Sequence, residues 1–330
     1  TLTEPLTEPL TEPLTEPLTE PLTEPLTEPL TERPAGLHSI RTIADADRLA
    51  PELRGAREVV VVGGGFIGLE IAAGARMLGA AVTVVEAAER LMDRAVSPAL
   101  AEAVRRAHER RGIRVLLRTG AARVVVQAGR VAGVELLDGQ LLTADVVVVG
   151  VGIEPRTELA AQLGLVVEPR GVVVDARAVT SDGVTVAAGD CAIGPNPFGR
   201  GLTGLTRLES VAHATDQARA AAATLAGHPA AYDSVPWFWS DQGDIRLQMA
   251  GLPHGADRQV VRGDPDSERF SILSFRQGLL VAVEAVGATA DYLAVKRALE
   301  KGMSLDADAA ADAAVPLKRL LTRTTDRPPS

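Results

Sequence analysis

Residues 58–86 (EVVVVGGGFIGLEIAAGARMLGAAVTVVE) constrain the fold of this chain more than any other segment. The apolar run 58–62 enters a glycine turn, a helical stretch over 66–79 closes at Gly79, and a second apolar run over 81–86 ends in Glu86. An uninterrupted valine run bounded by glycines reads as a strand covered on both faces, as parallel sheets require. Gly63, Gly65 and Gly68 satisfy the spacing GxGxxG between that strand and that helix. Gly63 allows the tight turn, Gly65 lets the backbone approach a pyrophosphate, and Gly68 lets helix and strand pack closely. The helix N-terminus adds free amides and a partial positive charge for the phosphates. Glu86 can hydrogen-bond both hydroxyls of an adenosine ribose and would repel a 2′-phosphate, which favours NAD over NADP. Glu70 either faces the cofactor and hydrogen-bonds a carboxamide or is a solvated helix position, since an uncompensated carboxylate is costly to bury. Arg90 and Arg94 either meet phosphates or are simply solvated.

Composition narrows the classes further. At roughly 150 residues per domain, 330 residues suggest two or three domains. The net charge of −9 is uneven: residues 1–32 hold eight Glu and no base, leaving 35 acids against 34 bases elsewhere. A nucleic-acid protein would show a clustered basic excess, and none is visible. Cys191 is the sole cysteine, which excludes an intramolecular disulfide and a Cys-rich zinc site. The five histidines lack metal-ligand spacing. No apolar run of about 18 residues appears, and the start is neither basic nor apolar, so no membrane association and a cytoplasmic enzyme are expected. Arg105, Arg106, Arg110, Arg111, Arg114 and Arg118 resemble a basic patch. With 31 Arg to 3 Lys in the chain, they read as a solvated face.

Residues 3–30 are seven copies of Thr-Glu-Pro-Leu. Proline at every fourth position removes an amide from each helical turn, and one Leu per repeat cannot build a core, so 1–33 is expected to be disordered. Beyond it, the pattern predicts a helix from about Pro98 to Arg111 capped by Ser97. Short strands follow near 114–118, 122–127 and 131–137, with a turn at Asp138-Gly139 and a strand over 145–150. One helix, several strands and a helix near 208–226 occupy 153–230. From Val235 the pattern is mostly strands, with helices near 290–301 and 315–323.

Four segments, VVVVGGGFIGLEIAAGARMLGAAVTVVEAAERLM, TSDGVTVAAGDCA, RLESVAHATDQAR and VPWFWSDQGDIRLQMAGL, occur in that order. Together they closely resemble the NADH-dependent ferredoxin reductases of bacterial oxygenase systems over roughly 35–330. LHSIRTIADADRL stands at the start of the match and AVPLKRLL near its end. PWFWSDQ is the most discriminating part, because generic two-dinucleotide reductases lack it. The resemblance implies an α/β, two-dinucleotide-binding (glutathione-reductase-like) flavoprotein fold with a C-terminal α/β reductase domain. It implies an NAD-binding domain over 34–152, part of an FAD domain over 153–230, and the reductase domain over 231–330. NADH would pass a hydride to FAD, which then reduces a 2Fe–2S ferredoxin one electron at a time. Gly63, Gly65, Phe66, Ile67, Gly68, Glu70, Glu86, Arg94, Gly150 and Gly152 would line the NAD site. Arg41, Asp190, Glu209, Val211 and Trp239 would lie on the FAD side. His213 and Cys191 read as packing residues. No general base is expected, because hydride transfer needs positioning of two rings rather than proton removal.

The family carries two glycine loops set between a strand and a helix and this chain shows one in that setting, with the repeat standing where the loop for the ADP half of FAD belongs. Losing three or four charge-assisted hydrogen bonds of roughly 1.5–3 kcal/mol each would leave FAD loosely held. The alternative expectation is therefore a catalytically incompetent NAD-binding remnant of such a reductase.

Overall fold

A computed structural model describes residues 33–195, 198 and 204–323, so the expected disorder of the repeat lies outside the described residues. Five strands form a parallel sheet: β1 (Leu37–His38), β2 (Glu58–Val62), β3 (Ala81–Val85), β4 (Ile113–Leu116) and, later in the chain, β8 (Val146–Val149), in the order β1-β8-β2-β3-β4. Helices α1 (Ile43–Gly55), α2 (Phe66–Met77) and α3 (Pro98–Arg110) connect the first four strands. The last crossover is an antiparallel meander of β5 (Ala121–Gln127), β6 (Arg130–Leu136) and β7 (Leu141–Thr143). This explains the valine run. Val59 and Val61 pack under the helices with Leu69, Leu100 and Val104, while Val60 and Val62 pack against Val131, Val134 and Leu136 of the meander. A strand buried on both faces has no position left for a polar residue.

A smaller sheet follows α4 (Glu158–Gln162): β9 (Val167–Glu168), β10 (Gly171–Val173), β11 (Ala192–Pro195) and β12 (Leu205–Thr206), in the order β12-β11-β10-β9. Helix α5 (Val211–Leu225) follows, capped by Ser210, whose hydroxyl accepts from the His213 amide.

The C-terminal sheet is antiparallel, in the order β13-β14-β17-β16-β15, from β13 (Trp237–Gln242), β14 (Ile245–Gly251), β15 (Arg258–Asp264), β16 (Arg269–Arg276) and β17 (Leu279–Val286). One face buries Leu273, Phe275, Leu280 and Val283 against Tyr292, Val295 and Leu299 of α6 (Thr289–Glu300). The other face contributes Ile245, Leu247, Phe270, Ile272 and Val286 to the same core as Leu69, Leu100 and Val104. The C-terminal sheet and the helices over the parallel sheet thus share one apolar core. The helix expected over 315–323 does not form. After β18 (Met303–Ser304) and α7 (Ala307–Ala310), the chain makes a three-residue 3₁₀ turn over Leu317–Arg319, and β19 (Thr322–Arg323) then pairs back onto β18. Pro316 supplies a carbonyl for the tight Arg319 bond (2.9 Å) but no donor, and Leu317, 1% exposed, inserts into the core where a longer helix would point elsewhere.

The arginine-rich face of α3 is not simply solvated. Arg105 bonds Glu102 and Glu109 along the helix, but Arg110 and Arg111 reach Glu268 at 2.7 and 2.6 Å, and Arg111 reaches Asp244 at 2.7 Å. Arg106 lies 3.7 Å from Asp266. Spacing reveals which face of a helix is charged but not what docks against it. The same interface holds buried polar pairs. The Ser97 amide donates to Glu284 at 2.7 Å while the Ser97 hydroxyl caps α3, and His108 Nε2 lies 2.7 Å from Gln242 Oε1.

The shared core makes Leu247→Ala cost about 2–5 kcal/mol. Far-ultraviolet dichroism and the fluorescence of the two tryptophans, both in β13, are expected to report one lowered transition; two separated transitions would show that the sheets are independent. Burial also holds His108 below the ordinary imidazole range. The folded state therefore binds fewer protons than the unfolded chain below about pH 6.5, and the stabilisation, full above that pH, is lost as the pH falls toward the folded value. His213, depressed mainly by burial, adds to this slope; Glu284, raised by burial, opposes it, losing stability as the pH climbs from about 4.5. His108→Gln should flatten, without abolishing, the fall in melting temperature between about pH 6.5 and 5. An unaltered slope would locate the titration elsewhere.

Candidate functional site

The three motif glycines do different work. Gly63 has φ +109°, and a Cβ there would lie 2.3 Å from the Gly150 carbonyl oxygen. A Cβ on Gly68 would lie 2.1 Å from the Gly63 carbonyl oxygen, so α2 rests backbone to backbone on the turn. At Gly65 a Cβ would meet nothing within 4 Å: that side of the loop is open. Gly65 is the N-cap of α2 with no side-chain cap and no acid in the first turn, so the leading amides of this twelve-residue helix have no partner among the described residues. Such a terminus is a ready anion site.

Glu86 is anchored beside it. Its Oε2 accepts from the Gly64 amide at 2.6 Å and its Oε1 from the Ala88 amide at 2.7 Å. A carboxylate offers about four acceptor positions, so two remain for a ribose diol. The two amides fix its orientation at the loop. Across the mouth, Ile67, Val151 and Ile153 are exposed apolar residues around Gly150 and Gly152. Gly152 has φ +120°, and a Cβ there would lie 3.4 Å from the Arg94 guanidinium. Arg94 is exposed and forms no ion pair among the described residues, whereas Arg90 pairs with Asp93. Glu70 is exposed one turn into α2 and accepts a 2.6 Å hydrogen bond from the Ser240 hydroxyl.

The second group of residues gathers around α5. Gly189 donates to Gln217 at 2.8 Å, and the Asp190 carbonyl accepts from Arg207 at 3.3 Å. Asp190's carboxylate has no hydrogen-bond partner among the described residues, while Glu209 is ion-paired with Arg207. Val211, in the first turn of α5, is 71% exposed. His213 is buried and bonds Tyr232 at 3.0 Å, and the Cys191 thiol lies 3.6 Å from the Ala188 carbonyl; both pack. Arg41 is exposed ahead of α1, its amide donating to Asp45.

Strand β13 joins the two groups. Trp237 and Trp239 stack at 5.4 Å on one face, with Lys296 4.7 Å over Trp237, and Trp239 is 43% exposed. The intervening residues face the parallel-sheet helices: Phe238 meets Phe66 at 4.6 Å, Ser240 meets Glu70, and Gln242 meets His108. Trp237 and Asp216 of α5 line one cavity of about 270 Å³. Reading residues singly overlooked Ser240, Gln242 and His108. Their signal lay in the alternation of WFWSDQ, which puts residues 238, 240 and 242 on one face. Among the described residues no group of three His, Cys, Asp or Glu could hold a metal, and no helix is long and apolar enough to cross a membrane. The arrangement at the glycine loop has the features of an adenine dinucleotide site: open helix amides beside an anchored carboxylate.

Comparison with known proteins agrees with this geometry. Residues 25–218 match the pyridine nucleotide-disulphide oxidoreductase family and residues 237–321 match a reductase C-terminal domain. Rhodocoxin reductase from Rhodococcus erythropolis is 45% identical over 291 residues, covering 88% of this chain and 67% of that protein. Putidaredoxin reductase from Pseudomonas putida is 34% identical over 287 residues, covering 86% and 66%. Among solved structures, the covalent putidaredoxin reductase–putidaredoxin complex superimposes with a TM-score of 0.84 at 32% identity, covering 90% of this chain and 71% of that one. The ferredoxin reductase for the CYP199A2 system from Rhodopseudomonas palustris gives 0.80 at 41%, covering 86% and 69%. The chain spans about two thirds of the length of these relatives. On the strength of these matches, the chain belongs to the pyridine nucleotide-disulphide oxidoreductase family, in the branch that carries the reductase C-terminal domain.

Proposed function

We propose that the chain is an NADH-dependent, FAD-containing ferredoxin reductase of an oxygenase system, acting in the cytoplasm. The observation that carries the NADH part is Glu86, held by the Gly64 and Ala88 amides beside the open face of Gly65. In this reading residues 34–152 bind NADH, 153–230 belong to the flavin domain, and 231–330 form the reductase domain. The uncapped amides of α2 hold the pyrophosphate and Glu86 holds the adenosine ribose. Arg94, Gly150 and Gly152 close over the nicotinamide half, with Phe66 and Ile67 along its edge.

The residues fit the flavin half of FAD. Asp190 offers a free carboxylate suited to ribityl hydroxyls, and Val211 and Trp239 offer exposed apolar surface for an isoalloxazine. Glu209 fixes the adjoining segment through Arg207, and Arg41 is available as a cation. FAD, when bound, accepts a hydride and returns electrons singly, which suits a 2Fe–2S ferredoxin as the acceptor. The chain's own contribution is to hold both rings in contact and exclude water. A second reading, a remnant that binds NAD without catalysis, is favoured by a single feature. Gly63–Gly68 is the only GxGxxG turn that leads from a strand into a helix among the described residues.

Two measurements decide. Titrating the purified chain with FAD at equilibrium should quench the flavin fluorescence saturably, and the FAD-saturated chain should reduce ferricyanide with NADH; a chain that binds NADH but gives neither signal selects the remnant. Glu86→Arg removes the carboxylate and adds a cation, so NADH affinity should fall about tenfold or more while NADPH gains, read by quenching of protein fluorescence. Unchanged or tighter NADH binding in that variant refutes the ribose assignment.

A further inference from the structure

Glu70, Ser240, Gln242 and His108 form a hydrogen-bonded chain with one polarity. His108 Nε2 lies 2.7 Å from Gln242 Oε1, which can only accept, so the imidazole must donate. Gln242 Nε2 donates to Ser240 Oγ at 3.3 Å and also lies 3.7 Å from Met92 Sδ. The Ser240 hydroxyl, its lone pair engaged by Gln242, donates to Glu70 Oε1 at 2.6 Å. Every donor points the same way and the chain ends on a carboxylate, the arrangement in which successive bonds polarise one another. Ser240 is 1% exposed, Gln242 and His108 are 0% exposed, and Glu70 is at the surface. Three buried groups from α3 and β13 thus converge on one exposed oxygen pair, one turn past the glycine loop.

Burying an imidazole, a carboxamide and a hydroxyl is costly unless the network achieves something apolar packing would not. Oε1 of Glu70 is occupied, while Oε2 has no partner among the described residues. Ile67, three residues earlier and on the neighbouring face, is exposed at the mouth of the dinucleotide site. From this geometry we infer that His108, Gln242 and Ser240 are positioning residues that fix the Glu70 carboxylate so that Oε2 accepts from the carboxamide of the NADH nicotinamide. The inference rests on the proposed NADH site. It makes the reductase domain, through Ser240, part of what orients the ring presented to the flavin.

The test is a chemical double cycle on the full chain, with binding read by fluorescence quenching. The probes are NADH and the reduced 3-acetylpyridine analogue, whose methyl ketone lacks the amide hydrogens. Ser240→Ala frees the Glu70 side chain to reorient and should weaken NADH about five- to tenfold, a fraction of the full strength of a hydrogen bond to a charged group. The analogue should change less than about twofold, because it has no donor for Glu70. Ser240→Thr keeps the hydroxyl and should restore NADH binding; Gln242→Met, cutting the chain one link earlier, should reproduce the selective loss in weaker form. Equal losses for both ligands would mean that Ser240 only packs, and unchanged NADH affinity in Ser240→Ala would disconnect the chain from the cofactor; either result overturns the inference. Failure of the unmodified chain to bind either dinucleotide would instead overturn the NADH site itself.

Discussion

The Gly63 carbonyl occupies the space that any side chain at position 68 would need, and the Gly150 carbonyl does the same at position 63. Two strand ends and one helix start therefore meet as bare backbone. That contact aims α2, and the partial charge at its first turn falls off too quickly to act from further away. The valine run makes the arrangement stiff. A one-residue slip of β2 would bring Glu58 or Gly63 to a site that valine now fills, between two packed cores. The glycine turn is rigid because the strand beneath it has nowhere to go.

The second constraint is the seat of the C-terminal sheet on α2 and α3. Apolar contact between Leu247, Phe270, Leu100 and Val104 supplies attraction but no direction. Register comes from polar groups with one partner each across the interface: Glu284 on the Ser97 amide, and Gln242 on His108. Their burial carries an electrostatic cost, visible as opposite displacements of the Glu284 and His108 protonation equilibria. The peripheral pairs of Arg110 and Arg111 with Glu268 and Asp244 are partly exposed and contribute less. The two displacements have opposite pH slopes: the cost of burying His108 grows as the pH falls, and the cost of burying Glu284 grows as it rises.

Local chemistry explains what could be read from the sequence. The strand–glycine–helix–strand unit, its Glu86, the Ser97 cap and the Asp138-Gly139 turn each depend on residues within a few positions of one another, and each stands where its pattern placed it. The final segment failed for the same reason. Leu317, Leu320 and Leu321 look like a helical face, but their positions are set by a distant core and by β18, which no local window contains. Arg110 and Arg111 were legible as a charged face, yet Glu268 and Asp244 lie more than 130 positions away. Glu70 is the instructive intermediate case. Its helix and exposure follow from spacing, whereas the partner that gives it an orientation is 170 residues further on. Long-range polar pairing leaves no periodic trace.

The strand that supplies that partner also settles a question of scale. In the proposed reading, hydride transfer tolerates little error in ring position, so the elements assigned to flank the two rings need a common reference. Alternation in β13 provides one, because adjacent side chains leave opposite faces of the same backbone. Phe238 and Ser240 are tied to α2, and Trp239 between them stacks on Trp237, itself held under Lys296 of α6. Any displacement of α2 relative to β13 would strain Phe66–Phe238 and Glu70–Ser240 before it reached the indole. The tryptophan's place is thereby referred to the glycine loop through two contacts rather than through the whole depth of the molecule. A loop in the same location, with no fixed period and its own fluctuations, could not transmit position so directly.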